Sequence, residues 1–182
     1  MKSILLSIKP KYVELIAMGE KTIEVRNTAP QEVPFKCYIY ETKGQYVKFT
    51  HGAHTKYGYG RGKVIGDFIC DKVYTIKNRG SSFSVADEEQ GVTNEIARQS
   101  CLDYDDMVSY FGNKDGFGWH ISDLTLYDKP KELSEFCIPC KVSCENCKNP
   151  LYFECWCEEK GKKIVTRPPL SWCYVEDLGE EE

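Results

Sequence analysis

The chain has 182 residues, of which 41% are hydrophobic and 29% are charged, and its formal net charge is −4. This composition is typical of a globular protein with a sizeable core, and it excludes collagen-like, coiled-coil and wholly disordered chains. No apolar run approaches the roughly 20 residues of a membrane span, and the first residues carry too short an apolar run for a signal peptide. We therefore expect a cytoplasmic protein.

The first elements along the chain are predicted to be a strand, a helix and a strand. Residues 3–8 alternate with a period of two, which indicates a strand with one apolar face. Pro10 suits the first turn of a helix, and Gly19 suits its end. From residue 21 the period of two returns, with Ile23 and Val25 on one face of a second strand.

Further elements follow at short spacing. We predict a strand at 36–42, a strand at 63–76 bent at Gly66, two helical pieces in 93–111 with Asp103 as an N-cap, a bulge near Ser122 and Asp123, and a last strand around Trp172–Val175. Many strands with few helices indicate an α+β fold built on a small β-barrel. We place the barrel domain at residues 1–136 and a cysteine-rich extension at 137–182, whose final strand packs back on the barrel.

Charge is distributed unevenly along this chain. Residues 1–80 hold 14 Lys and Arg against 7 Asp and Glu, whereas residues 81–182 hold 10 against 21. The N-terminal part could therefore offer a local positive face to phosphates. Alternatively, the two parts interleave in the fold and their charges cancel.

Polar residues gather at the mouth between the first helix and the second strand. They are Lys9, Lys21, Thr22, Glu24 and Arg26. Two amines, a guanidinium, a hydroxyl and a carboxylate could together hold a phosphate and the edge of a base. The alternative is a surface ladder in which Glu24 pairs with its basic neighbours.

A basic and aromatic segment without acidic residues extends from residue 42 to residue 66. It is predicted to be a long loop or an irregular hairpin. Aromatic rings stack on bases and lysines neutralise phosphates, so Lys56, Tyr57, Tyr59 and Arg61 are candidates for single-strand binding. The alternative is a solvated surface loop.

His120 lies on the Gly118 and Ser122 face of a predicted strand, where a ligand has room to approach. It is either a ligand contact or a histidine bonded to the neighbouring strand. Trp119, on the other face, is predicted to belong to the core.

Ten cysteines are many for a cytoplasmic chain, and six of them fall within 21 residues: Cys137, Cys140, Cys144, Cys147, Cys155 and Cys157. Pairs with two intervening residues suit a tetrahedral thiolate site, so we predict a structural zinc ion. Cys173 is a further possible ligand. An iron–sulfur cluster and free thiols are the alternatives.

Four motifs in this order resemble the ASCH family, the activating-signal-cointegrator homology domains of the PUA-like superfamily. They are S-I-K-P at 7–10, G-E-K-T-I-E-V-R at 19–26, G-K-V-I-G-D-F at 62–68 and G-W-H-I-S-D-L at 118–124. The ending at 167–175 resembles phage and prophage members. The resemblance implies a mostly antiparallel β-barrel flanked by short helices, with a cleft used for RNA, nucleotide or modified-base recognition.

One branch of that family hydrolyses an acylated cytidine with a Lys, a Thr and a Glu. By resemblance the Lys corresponds to Lys21, whereas Glu24 and Ser100 stand at the other two positions. If the chain is an enzyme, Lys21 and Glu24 are the catalytic candidates.

We therefore expect binding of RNA, single-stranded nucleic acid or a modified nucleotide through a basic cleft. The alternatives are an amidohydrolase acting on a modified nucleoside and a phage module that binds a protein partner through the C-terminal part. No membrane partner is expected.

Overall fold

The computed structural model describes residues 2–48, 56–80, 82–85, 93–139 and 162–177. The strands are β1 (Ser3–Ile8), β2 (Ile23–Arg26), β3 (Phe35–Glu41), β4 (Gly44–Lys48), β5 (Lys56–Gly60), β6 (Lys63–Cys70), β7 (Val73–Asn78), β8 (Phe83–Val85), β9 (Gly116–His120), β10 (Ser122–Lys131), β11 (Phe136–Pro139), β12 (Lys162–Ile164) and β13 (Trp172–Asp177). The helices are α1 (Pro10–Ala17), α2 (Thr93–Ser100) and α3 (Tyr104–Phe111), with a 3-10 turn at Leu133–Glu135. Within these ranges, no helix has the length and apolar character needed to span a membrane.

The strands form a large sheet, a small sheet and a hairpin. The large sheet has the order β10-β6-β3-β1-β13-β11-β12, the small sheet has the order β2-β9-β7-β8, and β4 pairs with β5. Every pairing among these thirteen described strands is antiparallel except that of β1 with β3. The strand-dominated α+β prediction is confirmed.

The predicted closed barrel is wrong, because the described strands form open sheets. The physical reason is that two strand-to-strand connections break and pass from the large sheet to the small one. β6 leads into β7 after a break at Asp71 and Lys72, and β9 leads into β10 after a break at Ile121. The antiparallel pair β6–β10 therefore continues as the pair β7–β9 in the other sheet, as strands do when they switch sheets at a bend.

Several local predictions are confirmed by the backbone. α1 begins at Pro10, and Gly19 follows it at φ +75°, a conformation that glycine adopts without strain. The Asp103 carboxylate caps α3 by accepting from the amide of Asp106 at 2.7 Å. The β10–β6 register shifts after Ser122, where we predict the bulge. The single strand predicted over 63–76 is wrong, because it is divided into β6 and β7 at Asp71 and Lys72. At Gly66 the pairing of β6 with β3 shifts register.

β1 lies between β3 and β13, and both of its faces are buried. Ile4, Leu6 and Ile8 pack in one hydrophobic cluster, together with Val13 and Ile16 of α1. The prediction of a single apolar face is wrong for Leu5, which is fully buried in a second cluster on the opposite face of the sheet.

The β4–β5 hairpin is seated on the start of α1 through Gly60. A Cβ atom at Gly60 would lie 1.8 Å from the Thr42 carbonyl oxygen and 2.4 Å from Pro10 Cγ. Both distances are far inside van der Waals contact, so a side chain at this position displaces the backbone.

We predict that Gly60→Ala lowers the free energy of unfolding by more than about 2 kcal/mol, measured by urea denaturation. The control is Gly80→Ala, where no atom of the described residues packs within 4 Å of the added Cβ. There the positive φ of +83° opposes the change, at about 1 kcal/mol. Equal losses in the two variants would contradict a steric role for Gly60.

Candidate functional site

A cavity of about 560 Å³ opens between the end of β1, the charged face of β2 and α3. Pockets of roughly 300–1,000 Å³ accommodate small organic ligands. The lining residues are Ser7, Ile8, Lys9, Tyr12, Lys21, Glu24, Val25, Arg26, Thr42, Leu102, Asp106, Ser109, Tyr110 and Leu170.

The inner wall of the cavity is a buried cluster of three charges. Lys21, Glu24 and Arg26 are only 2%, 5% and 7% exposed. Glu24 Oε1 lies 2.7 Å from Arg26 Nη2, and Glu24 Oε2 lies 3.3 Å from Lys21 Nζ. One carboxylate therefore compensates two cations in an interior of low polarity, and the cluster keeps one positive charge.

Each cation of this cluster also binds a backbone carbonyl. Lys21 Nζ donates to the carbonyl oxygens of Ile23 at 2.9 Å and Ser100 at 2.7 Å. Arg26 Nη2 donates to the carbonyl oxygen of Ser7 at 2.7 Å. The ammonium of Lys21 has three donor hydrogens, and the two carbonyls accept two of them, while Glu24 Oε2 contacts the same ammonium as an ion pair.

Two buried polar atoms of the cluster have no hydrogen-bond partner among the described residues. They are Glu24 Oε2, an acceptor that is only ion-paired, and Arg26 Nε, a donor. A buried polar group without a hydrogen bond costs roughly 1–3 kcal/mol.

The remaining polar groups of the cavity come from its other walls. Lys9 is exposed at the end of β1, and Asp106 is exposed on α3. Lys21 Nζ lies over the ring of Tyr12, 5.2 Å from the ring centroid. Burial, reinforced by the charge of Asp106, raises the pKa of Tyr12, so this phenol remains a neutral hydrogen-bonding group at neutral pH.

Four of the residues that the sequence singled out for the cleft line the cavity together, namely Lys9, Lys21, Glu24 and Arg26. Thr22 does not line it, and its backbone bonds to Gln99 and Ile121. His120 does not line the cavity either, and its Nδ1 lies 2.7 Å from Asp71 Oδ1. This hydrogen bond holds the pKa of Asp71 below its usual value.

The hairpin displays two tyrosines on one face of β5. Tyr57 and Tyr59 are 57% and 71% exposed, and across the hairpin they pair with Val47 and Gln45. The backbone of Lys56 belongs to β5, but its side chain lies outside the described residues. The backbone amide of Arg61 donates to Glu41 Oε2 at 2.8 Å, which fixes the base of the hairpin.

Of the six cysteines predicted to bind zinc, only Cys137 lies within the described residues. It is fully buried in β11. Cys140, Cys144, Cys147, Cys155 and Cys157 lie outside the described residues, so the zinc site stays a prediction. In the described part of the chain, no three metal-ligating side chains cluster.

Sequence reasoning missed the residues that distant parts of the chain bring to the cavity. Tyr12, Asp106, Ser109, Tyr110 and Leu170 all line it. The helical period of α1 and the Asp103 cap locate the helices, but no local signal tells which face of α3 meets β2. Ser7 and Leu170 belong to two segments that resemble the ASCH family, and the pairing of β1 with β13 brings those segments together.

We predict that Glu24→Ala lowers the free energy of unfolding by about 3–5 kcal/mol, because it leaves Lys21 and Arg26 buried without a counterion. Urea denaturation measures the loss. The matched control is Glu32→Ala, which removes an exposed carboxylate paired with Lys2 at 3.0 Å and should cost less than about 1 kcal/mol. A loss at Glu24 no larger than that at Glu32 would show that the buried cluster is not required for stability.

Comparisons with known proteins identify the architecture. No family model and no curated protein matches the chain. Among solved structures, ASCH from Zymomonas mobilis superposes with a TM-score of 0.56 at 16% identity, covering 96% of this chain and 88% of that one. A mutant form of the same protein gives a TM-score of 0.54 at 16% identity, with 97% and 91% covered. The chain therefore has the fold of an ASCH domain.

Proposed function

We propose that the protein binds single-stranded RNA or a nucleotide, with one base seated in the cavity. The observation that carries this proposal is the cavity of about 560 Å³ whose wall is formed by Lys21, Glu24 and Arg26. A nucleobase edge offers adjacent donors and acceptors, so it is complementary to a carboxylate and a guanidinium. Similarity of the fold to ASCH structures is consistent with this role.

In this proposal Lys9 contacts the phosphate. It is exposed at the cavity mouth, so its ammonium is available to an anion without the cost of burial. The inner cluster adds one net positive charge, since Glu24 compensates only one of its two cations. Thr22 and His120 do not line the cavity and have no part in the proposed contact.

The geometry favours binding over hydrolysis. A catalytic lysine or its partner base has to exchange a proton with the reacting group. Here the Lys21 ammonium is held by two carbonyls and by Glu24, and Glu24 is itself held between two cations. These bonds fix the two groups as parts of a binding wall.

The exposed face of the hairpin provides a second contact for a longer strand. Thr42 lines the cavity, and β4 begins two residues later at Gly44. Tyr57 and Tyr59 therefore lie on a hairpin whose first strand begins next to the cavity. Lys56 precedes the two tyrosines in β5, and Arg61 directly follows β5. Aromatic rings in this setting stack on bases without reading their sequence.

We predict that isothermal titration calorimetry detects binding of nucleoside monophosphates at low salt and that Lys9→Glu weakens it at least about tenfold, because a charge-assisted contact is lost and a repulsion is added. Lys129→Glu is the matched control, since it makes the same charge change on β10, outside the cavity lining. Equal effects of the two changes, or no binding by the wild-type chain, would refute the proposal.

We predict that the double change Tyr57→Ala and Tyr59→Ala weakens binding of a single-stranded RNA decamer about tenfold or more, since each stacked base contributes roughly 1–3 kcal/mol. The affinity for a monophosphate should stay the same, because the cavity is untouched. Fluorescence anisotropy at two salt concentrations measures both. The Phe variants should bind normally, and a decamer affinity that survives the Ala changes would exclude the hairpin from the interface. A DNA decamer distinguishes RNA from general single-strand binding.

A further inference from the structure

Leu170 is a fully exposed leucine at the mouth of the cavity, with a relative exposure of 106%. Exposed leucines are common on protein surfaces and by themselves indicate nothing. Among the exposed leucines of the described residues, Leu170 differs from Leu126 because it lines a cavity whose inner wall is charged.

The segment that carries Leu170 is fixed on both sides. Ser7 Oγ donates to the carbonyl oxygen of Pro169 at 2.7 Å, and the Ser7 amide donates to the carbonyl oxygen of Ser171 at 3.0 Å. Two consecutive prolines, Pro168 and Pro169, restrict the backbone before it. The backbone on both sides of Leu170 is therefore restrained, which keeps the leucine side chain exposed to solvent.

The same serine also fixes the charged wall. Its carbonyl oxygen accepts from Arg26 Nη2 at 2.7 Å. Ser7 therefore sets the position of the apolar rim relative to the polar wall. A ligand that fills this site needs a polar edge for Glu24 and Arg26 and an apolar surface for Leu170.

We propose that Leu170 is a specificity-determining residue that contacts the apolar face of the base, so that the site accepts nucleoside phosphates and discriminates against phosphorylated sugars without a base. This inference rests on the proposed function, since it assigns the ligand class of the same cavity. Tyr110, which lines the cavity from α3, offers a second apolar contact to the same ring.

The test is calorimetric titration with AMP, CMP, GMP, UMP and ribose 5-phosphate. Leu170→Ala should weaken binding of the monophosphates about tenfold, as expected for the loss of one buried aliphatic contact, and should leave ribose 5-phosphate unchanged. Leu170→Met, which keeps an apolar side chain of similar size, should retain monophosphate affinity. Leu126→Ala is the matched control and should have no effect.

The possible failures are distinguishable. If the monophosphates bind the wild-type chain and Leu170→Ala equally tightly, the inference is refuted and the proposed function stands. If Leu170→Ala weakens ribose 5-phosphate as much as the monophosphates, the leucine supports the segment and does not read the base. If no monophosphate binds the wild-type chain, both proposals fail.

Discussion

The carboxylate of Glu24 is the group on which the rest of the site depends. It is buried opposite Trp119 in the β2–β9 pair, and a charge in such surroundings is tolerated only with partners. Lys21 and Arg26 supply them, and each cation then reaches a different element. Lys21 bonds to Ser100 at the end of α2, and Arg26 bonds to Ser7 in β1. Through these two cations, the carboxylate of Glu24 links α2, the small sheet and the large sheet.

The cavity exists because these elements meet at their ends. The period of two in β2 puts Ile23 and Val25 into the cluster beneath α2 and α3, and it turns Glu24 and Arg26 towards β1. The helix α1 leads the chain from the large sheet to the small one, so Lys9 before the helix and Lys21 in the turn after it line one cavity. Three basic residues of the N-terminal part, Lys9, Lys21 and Arg26, meet there. Lys63 and Lys77 instead pair with Glu132 and Asp115 of the C-terminal part.

The sequence predicts most local structure because caps, glycine stops and alternation are local signals. α1, the Asp103 cap and the bulge after Ser122 all follow from neighbouring residues. The burial of Leu5 does not follow from neighbouring residues, because a strand that is covered on both faces no longer alternates between apolar and polar side chains. The open sheets could not be foreseen either, since closure depends on which strands meet after the bends at Asp71 and Ile121. In the site, the proximity of Lys9 and Lys21 is predictable from the helix between them. The presence of Asp106 and Leu170 in the cavity depends on long-range packing, which the spacing of residues in the sequence does not reveal.

The pairing of β1 with β13 sets the order in which this protein can mature during synthesis. β13 is the last strand of the described chain, yet it is the neighbour of the first, with Ser3 opposite Val175 and Leu6 opposite Trp172. Until β13 has left the ribosome, the half of β1 that faces it is an unpaired edge, the kind of backbone that recruits strands from other chains. The bonds from Ser7 to Pro169 and Ser171 also have to wait for that moment. Until β13 emerges, a nascent chain therefore lacks both Val175 in the hydrophobic core and Leu170 in the wall of the cavity.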